Sequence, residues 1–140
     1  FLYGSNFSLG VNLFFALNEN LAIMIIIFSG YNCQLEEIHH IHKLDAPSGT
    51  AISLAEGIIS NSGYHAWKLD ETIDRELGIF AIREDEVPGT HSVFYRSEVD
   101  EIEIKHTAFN RNGFALDAII ASEWIVDKKG VFTMKDVLGL

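Results

Sequence analysis

The sequence predicts an α+β domain: one mixed, largely antiparallel sheet with helices packed on one face. Three observations carry this reading. Apolar residues recur at helical spacing near both ends of the chain, three β-like runs separated by turn residues lie between them, and 140 residues at 48% hydrophobic content suffice to bury one core.

From Ser8 to Phe28 the positions Val11, Phe14, Phe15, Leu17, Leu21, Met24 and Ile25 follow a helical period, with Ser8 or Asn6 available as N-cap and Ser29-Gly30 as a stop. The segment Gln34 to His40, around Leu35 and Glu37, suits an edge or half-buried strand that ends where the histidines begin. Asp45-Ala46-Pro47-Ser48-Gly49-Thr50 is turn chemistry and opens directly into helical spacing from Ala51 to Ile59. A polar loop is expected around Lys68 to Glu76. Three strands follow, Ile79 to Arg83, His91 to Arg96 and Val99 to His106, and their separators, Pro88-Gly89 and Ser97 to Asp100, suggest antiparallel hairpins. A helix from Gly113 to Val126, with Phe114, Leu116, Ala118, Ile119, Ala121 and Ile125 mostly inward, leads to a Lys-Lys-Gly break and a short terminal turn. With helices on one face only, the opposite face of the sheet calls for a partner.

Charge and composition narrow the function classes. The formal charge of −10, with no run of Lys and Arg to offset it locally, argues against nucleic acid as a partner. The single cysteine, Cys33, has no partner for an internal disulfide and reads as a small buried residue in a reducing, cytoplasmic setting. Asn12, Asn18, Glu19 and Asn20 interrupt the apolar stretch Leu9 to Phe28, leaving only Leu21 to Phe28 continuous, too short for the roughly 30 Å of a bilayer core. That stretch is expected to be a buried helix, with no membrane as partner. The abrupt start at Phe1, without a basic flank and cleavage site, reads as a truncation.

The chemistry concentrates in one window. Three of the six histidines, His39, His40 and His42, fall together with Lys43. Continued strand alternation would send His40 and His42 to one side and His39 to the other, whereas a turn could gather them all. An imidazole titrates near neutral pH and a lysine offers a fixed positive charge, a combination suited to reducing an anionic, unsaturated substrate. Downstream, Pro47-Ser48-Gly49-Thr50 would present unpaired N–H groups at the positive end of a helix, where Gly49 lets an anion approach. Two anion sites so close in sequence imply a small dicarboxylate. The plain alternatives are a polar strand end, an ordinary capping turn at Ser48 to Thr50, or a metal site, which ranks below an anion site for want of regularly spaced ligands. His91 and His106 are expected to pack or pair locally within strands, and Arg111 could orient an anion or cap a turn.

Residues Glu37 to Ala51, reading EIHHIHKLDAPSGTA, match every defining position of the pattern E-x-H-H-x-x-K-x-D-x-P-S-G-T-A, and the chain thereby resembles the dihydrodipicolinate reductases. The segment Ser5 to Asn12 is similar to the stretch joining that family's two domains, His106 to Arg111 to its last strand and turn, and Phe132 to Leu138 to its C-terminus. The resemblance implies NADH- or NADPH-dependent reduction of a cyclic dihydrodipicolinate-type imine to tetrahydrodipicolinate, in the diaminopimelate route to lysine. It implies His39 as proton donor with Lys43 as its catalytic partner, and His40, Lys43, Ser48, Gly49 and Thr50 as substrate contacts. It also places Gly4, Ser5, Asn6 and Phe7 at the nicotinamide end of the cofactor, and a homotetramer on the bare face of the sheet. On this reading residues 1–140 form a substrate-binding and oligomerisation domain with 1–8 as hinge segment, no metal is required, and the chain alone is inactive. The family's N-terminal Rossmann half has no counterpart, since none of the 11 glycines forms G-x-G-x-x-G. A non-catalytic module that binds a dicarboxylate and serves assembly is the alternative from another class; a related amino-acid dehydrogenase is a more distant one.

Overall fold

One strand organises the molecule. The computed structural model describes all 140 residues, and its β1 (Asn32–His39) alternates so that Cys33, Leu35, Glu37 and His39 are buried on one face. Parallel to β1 on one side runs β3 (Glu76–Arg83), which in turn pairs in parallel with β2 (Ala66–Leu69). On the other side β1 pairs antiparallel with β4 (Thr90–Arg96), and β4 forms an antiparallel hairpin with β5 (Glu101–Thr107). The order is β2-β3-β1-β4-β5.

The face that buries Leu35 is covered by α1 (Leu9–Ile25) and α2 (Gly49–Ile59). Ser8 is the N-cap of α1, its hydroxyl accepting from the Val11 N–H, and Ser48 caps α2 by accepting from the Ala51 N–H. Leu54, Ala55 and Ile58 of α2, Phe14 and Ala22 of α1, and Leu35, Leu77, Ile79, Val93 and Tyr95 of the sheet form the core. Cys33 belongs to it, as expected, and burial pushes its thiol up to about 12, which leaves it protonated and inert. The chain closes with α3 (Asn112–Trp124) and α4 (Met134–Leu138), the latter started by a capping box between Thr133 and Asp136.

The α+β class and the mixed sheet agree with the sequence; several details do not. Two of the four pairings are parallel, so the sheet is evenly mixed rather than largely antiparallel. The runs at Ile79 and His91 do not form a hairpin because β1 lies between them: Ile38 faces Ile82 on one side and Thr90 on the other. β1 is therefore the central strand and not an edge. The expected polar loop from Lys68 to Glu76 starts inside β2, which takes Lys68 and Leu69, and ends at the first residue of β3.

Two apolar segments are less buried than expected. Ile23, Met24, Ile26, Ile27 and Phe28 at the end of α1 are exposed, because Val11, Phe14, Asn18 and Ala22 already direct the helix inward and the residues beyond Ile25 turn off the sheet. In α3 only Ala121 is buried, and Leu116 and Ile119 stand open. Apolar residues surround that helix, so its sequence gives no preferred inward direction. No helix is long and apolar enough to cross a membrane.

Candidate active site

Glu37 and His39 lie two residues apart at the end of β1 and so share the buried face. The register puts His91 of β4 opposite Glu37, and Arg83 of β3 opposite His39. A carboxylate with no exposed surface must be paired to remain charged, and Glu37 is paired on several sides. The Ser48 N–H donates to both of its oxygens (3.2 and 3.0 Å), and the Arg83 guanidinium donates to Oε1 at 3.0 Å. His39 Nδ1 faces Oε2 at 3.5 Å and His91 Nε2 faces it at 3.7 Å. His91 Nε2 also meets the Ser48 hydroxyl at 3.1 Å, and the His39 and His91 rings stand edge to face with centroids 5.0 Å apart.

Desolvation alone would raise the Glu37 pKa, but hydrogen bonds from His91, Ser48 and Arg83 outweigh it and bring it down to about 2. His39 moves the other way. Burial, helped by repulsion from His91, Lys43 and Arg83 and opposed by Glu37, lowers it to about 4, so its imidazole is neutral at pH 7. Glu37, His39 and His91 bring their ligand atoms within 4.8 Å of one another, and they are residue types that bind zinc. Both Glu37 oxygens already accept from Ser48 and Arg83, however, which fixes the carboxylate between them.

Arg83 does more than neutralise Glu37. Its Nε donates to the Lys43 carbonyl (3.2 Å) and its Nη2 to the Asp45 carbonyl (2.7 Å), which fastens the turn after β1 to β3. On that turn Lys43 Nζ lies 3.2 Å from the Asp45 carboxylate, whose pKa the bond from Lys43 lowers. Lys43 is thus held at the rim of the cluster, in contact with a partner that an incoming carboxylate could replace.

The start of α2 divides its polar groups between structure and solvent. Ser48 spends its N–H on Glu37 and its hydroxyl on Ala51 and His91, so it supports the site from behind. No bond within the protein takes the N–H of Gly49 or Thr50, and the space beside Gly49 is open. The Thr50 hydroxyl accepts from the Asn6 side chain at 3.3 Å, which brings the hinge segment to the same helix end. Gly4, Ser5 and Asn6 line a cavity of about 320 Å³ together with Asn12 and Met134; Phe7 lines a different one, with Phe1 and Ala118.

β1 ends at His39, and the turn that follows does not gather the three histidines. His39 joins the buried cluster, while His40 and His42, their rings 6.0 Å apart, open into a separate cleft shared with Glu86 and Arg111. Arg111 makes no capping bond to α3. The sequence reading overlooked Arg83 and Gly89 and reduced His91 to local packing. His91 does pair locally, but with the very carboxylate behind His39, and only the strand register could have revealed that.

Gly89 packs against His39. Its φ is +153°, and a Cβ there would come within 3.1 Å of His39 Nε2. Gly89→Ala is expected to destabilise the chain by about 1–3 kcal/mol in urea unfolding; a loss under about 0.5 kcal/mol would mean that the His39 ring and this loop yield freely.

The protein-family model described as "Dihydrodipicolinate reductase, C-terminus" matches residues 10–138. The chain belongs to the dihydrodipicolinate reductase family. Among its relatives, the 4-hydroxy-tetrahydrodipicolinate reductase of Christiangramia forsetii is 57% identical over 140 residues, covering 99% of this chain and 59% of that protein. The protein of that name from Methanopyrus kandleri is 39% identical, covering 95% of this chain and 50% of its own length. The chain therefore spans between 50% and 59% of the length of these curated relatives. A solved structure, a dipicolinate-bound dihydrodipicolinate reductase from Paenisporosarcina sp. TG-14, matches with a TM-score of 0.69 at 20% identity, over 96% of this chain and 53% of that one, a likeness of fold. In this reductase-family domain the motif from Glu37 to Ala51 is thus one continuous piece of structure: strand end, turn and helix start, closed on itself by Glu37 and Ser48.

Proposed function

We propose that residues 1–140, with 1–8 as hinge segment, form the substrate-binding and oligomerisation half of an NADH- or NADPH-dependent reductase. Its substrate is a small cyclic dicarboxylate of the dihydrodipicolinate type, and its product the corresponding tetrahydrodipicolinate, a step of diaminopimelate and lysine biosynthesis. One observation carries the reading: Glu37 binds the N-terminus of α2 through the Ser48 N–H and backs His39 at the same time. An anion-binding helix end and a titratable imidazole are thereby held side by side.

In this mechanism a carboxylate of the substrate accepts from the Gly49 and Thr50 N–H groups. Lys43 turns from Asp45 to a substrate carboxylate, and His40 contacts the substrate from the neighbouring cleft. The nicotinamide cofactor supplies the hydride. His39 supplies the proton, so that hydride and proton together reduce one double bond. Two negative charges beside His39 raise its affinity for a proton, opposing the burial and the positive neighbours that lower it. The cavity lined by Gly4, Ser5 and Asn6, joined to Thr50 through Asn6, fits the nicotinamide end. Phe7, which the family resemblance also places at the cofactor, lines the separate cavity with Phe1 and Ala118. The bare sheet face, with Phe80, Ile82 and Phe94 on it, supports a homotetramer, and a cytoplasmic location accords with the pathway.

Calorimetric titration with pyridine-2,6-dicarboxylate, a planar and stable dicarboxylate, tests this reading. Saturable binding to this chain is expected, weakened at least about tenfold in a Lys43→Ala, Thr50→Val double variant, the loss corresponding to about 1.4 kcal/mol. Equal binding by the double variant would remove the Lys43 ammonium and the Thr50 hydroxyl from the substrate site, leaving only the helix-end N–H groups.

A further inference from the structure

His39 has one sealed nitrogen and one that is not. Nδ1 is buried without a hydrogen-bond partner, 3.5 Å from Glu37 Oε2, whereas the Nε2 edge lies against Gly89, whose lack of a side chain leaves room beside it. A buried ring nitrogen facing a carboxylate is stable as N–H and costly as a bare lone pair. We infer that Glu37 is a positioning residue for the reduction: its carboxylate holds the proton on His39 Nδ1 and so presents Nε2 as the one nitrogen that exchanges a proton with substrate. This rests on the reading of His39 as proton donor and extends it to a residue that touches neither substrate nor cofactor.

The surroundings make Glu37 suited to the task. Arg83 and the Ser48 N–H hold its two oxygens in place, so the carboxylate is a fixed point and not a mobile one. His91, on the other side, is occupied by the Ser48 hydroxyl. The charged and titratable groups facing His39 are Glu37 from β1, His91 from β4, Arg83 from β3 and Lys43 from the turn after β1; among them Glu37 alone favours its protonated form. Carboxylates that orient a functional imidazole in this way typically contribute 10- to 100-fold to its function.

The test uses a protein that carries this chain together with its dinucleotide-binding half, labelled with 15N-histidine. Long-range NMR correlations of His39 should give the Nδ1–H tautomer in the unmodified protein, and a bare Nδ1 would overturn the inference without any substitution. In Glu37→Gln, kcat should fall about 10- to 100-fold with little change in KM. The alkaline limb of the kcat profile should also move to lower pH, because the one protein group favouring the protonated ring is gone; Glu37→Asp should recover part of both. A folded Glu37→Gln variant with unaltered kcat and pH profile would overturn the inference. His39→Gln run in parallel separates the two levels. If it keeps its turnover, the proton-donor reading itself fails and the role of Glu37 falls with it; if it loses turnover while Glu37→Gln does not, only the inference about Glu37 fails.

Discussion

Replacing His39 by Gln, in a protein that joins this chain to a dinucleotide-binding domain, is expected to lower kcat about 10²- to 10⁴-fold while KM changes little. Glutamine keeps the size and hydrogen-bonding reach of the ring but cannot be protonated, so binding should survive where proton delivery does not. The effect is large because the site offers no equivalent acid. His91 is occupied by Ser48 and Glu37, and His40 opens into the other cleft.

The same variant tests how the proton arrives. Among its protein neighbours His39 is lowered to about 4, chiefly by burial, and is neutral at pH 7. A bound dianion shifts it upward, so binding of pyridine-2,6-dicarboxylate at pH 7 should take up a fraction of a proton. Titrations in two buffers of different ionisation enthalpy measure that uptake, and His39→Gln should abolish it. On the proposal that protonated His39 is the donor, kcat should fall as pH rises through its ligand-bound pKa. Full turnover in the variant would remove His39 from the mechanism.

The motif was legible because its parts are local: a strand end, a turn and a helix N-cap follow one another between Glu37 and Thr50, and each has its own sequence rule. Helices α1 and α2 were legible for the same reason, from Ser8, Ser48 and the spacing of Val11, Phe14 and Leu54. What was not legible depends on strand order. Placing β1 between β3 and β4 is a long-range event, and with it come the two neighbours that make a buried Glu37 tolerable, Arg83 from one side and His91 from the other. Read alone, a glutamate in mid-strand leaves an edge and a half-buried strand both open, and only the pairing on both sides decides for the second. The exposed ends of α1 and α3 misled in the opposite sense, since Leu116, Ile119 and Ile27 are apolar without being covered in this chain.

Arg83→Met is expected to cost about 3–5 kcal/mol of stability at pH 7, the range for leaving one member of a buried ion pair uncompensated. Methionine fills similar space but removes the donor at 3.0 Å from Glu37 Oε1 and the two bonds to the Lys43 and Asp45 carbonyls. The pH dependence identifies the cause. Glu37 has a folded pKa of about 2, against 4.5 unperturbed. Its charged form therefore contributes about 3 kcal/mol that is fully present above the unfolded pKa and is lost as pH falls from there toward 2. Without Arg83, desolvation is opposed only by Ser48 and His91, the folded pKa rises, and that contribution shrinks. The difference between variant and parent in urea unfolding should consequently be greatest above about pH 5 and should narrow below pH 4, where the carboxyl protonates in the unfolded chain and, in the variant, in the folded one. Adding Glu37→Gln to Arg83→Met should recover part of the loss, because an amide can be buried without a counter-charge. A deficit that is the same at pH 7 and pH 4 would assign the effect to the turn carrying Lys43 and Asp45 instead of to the buried pair.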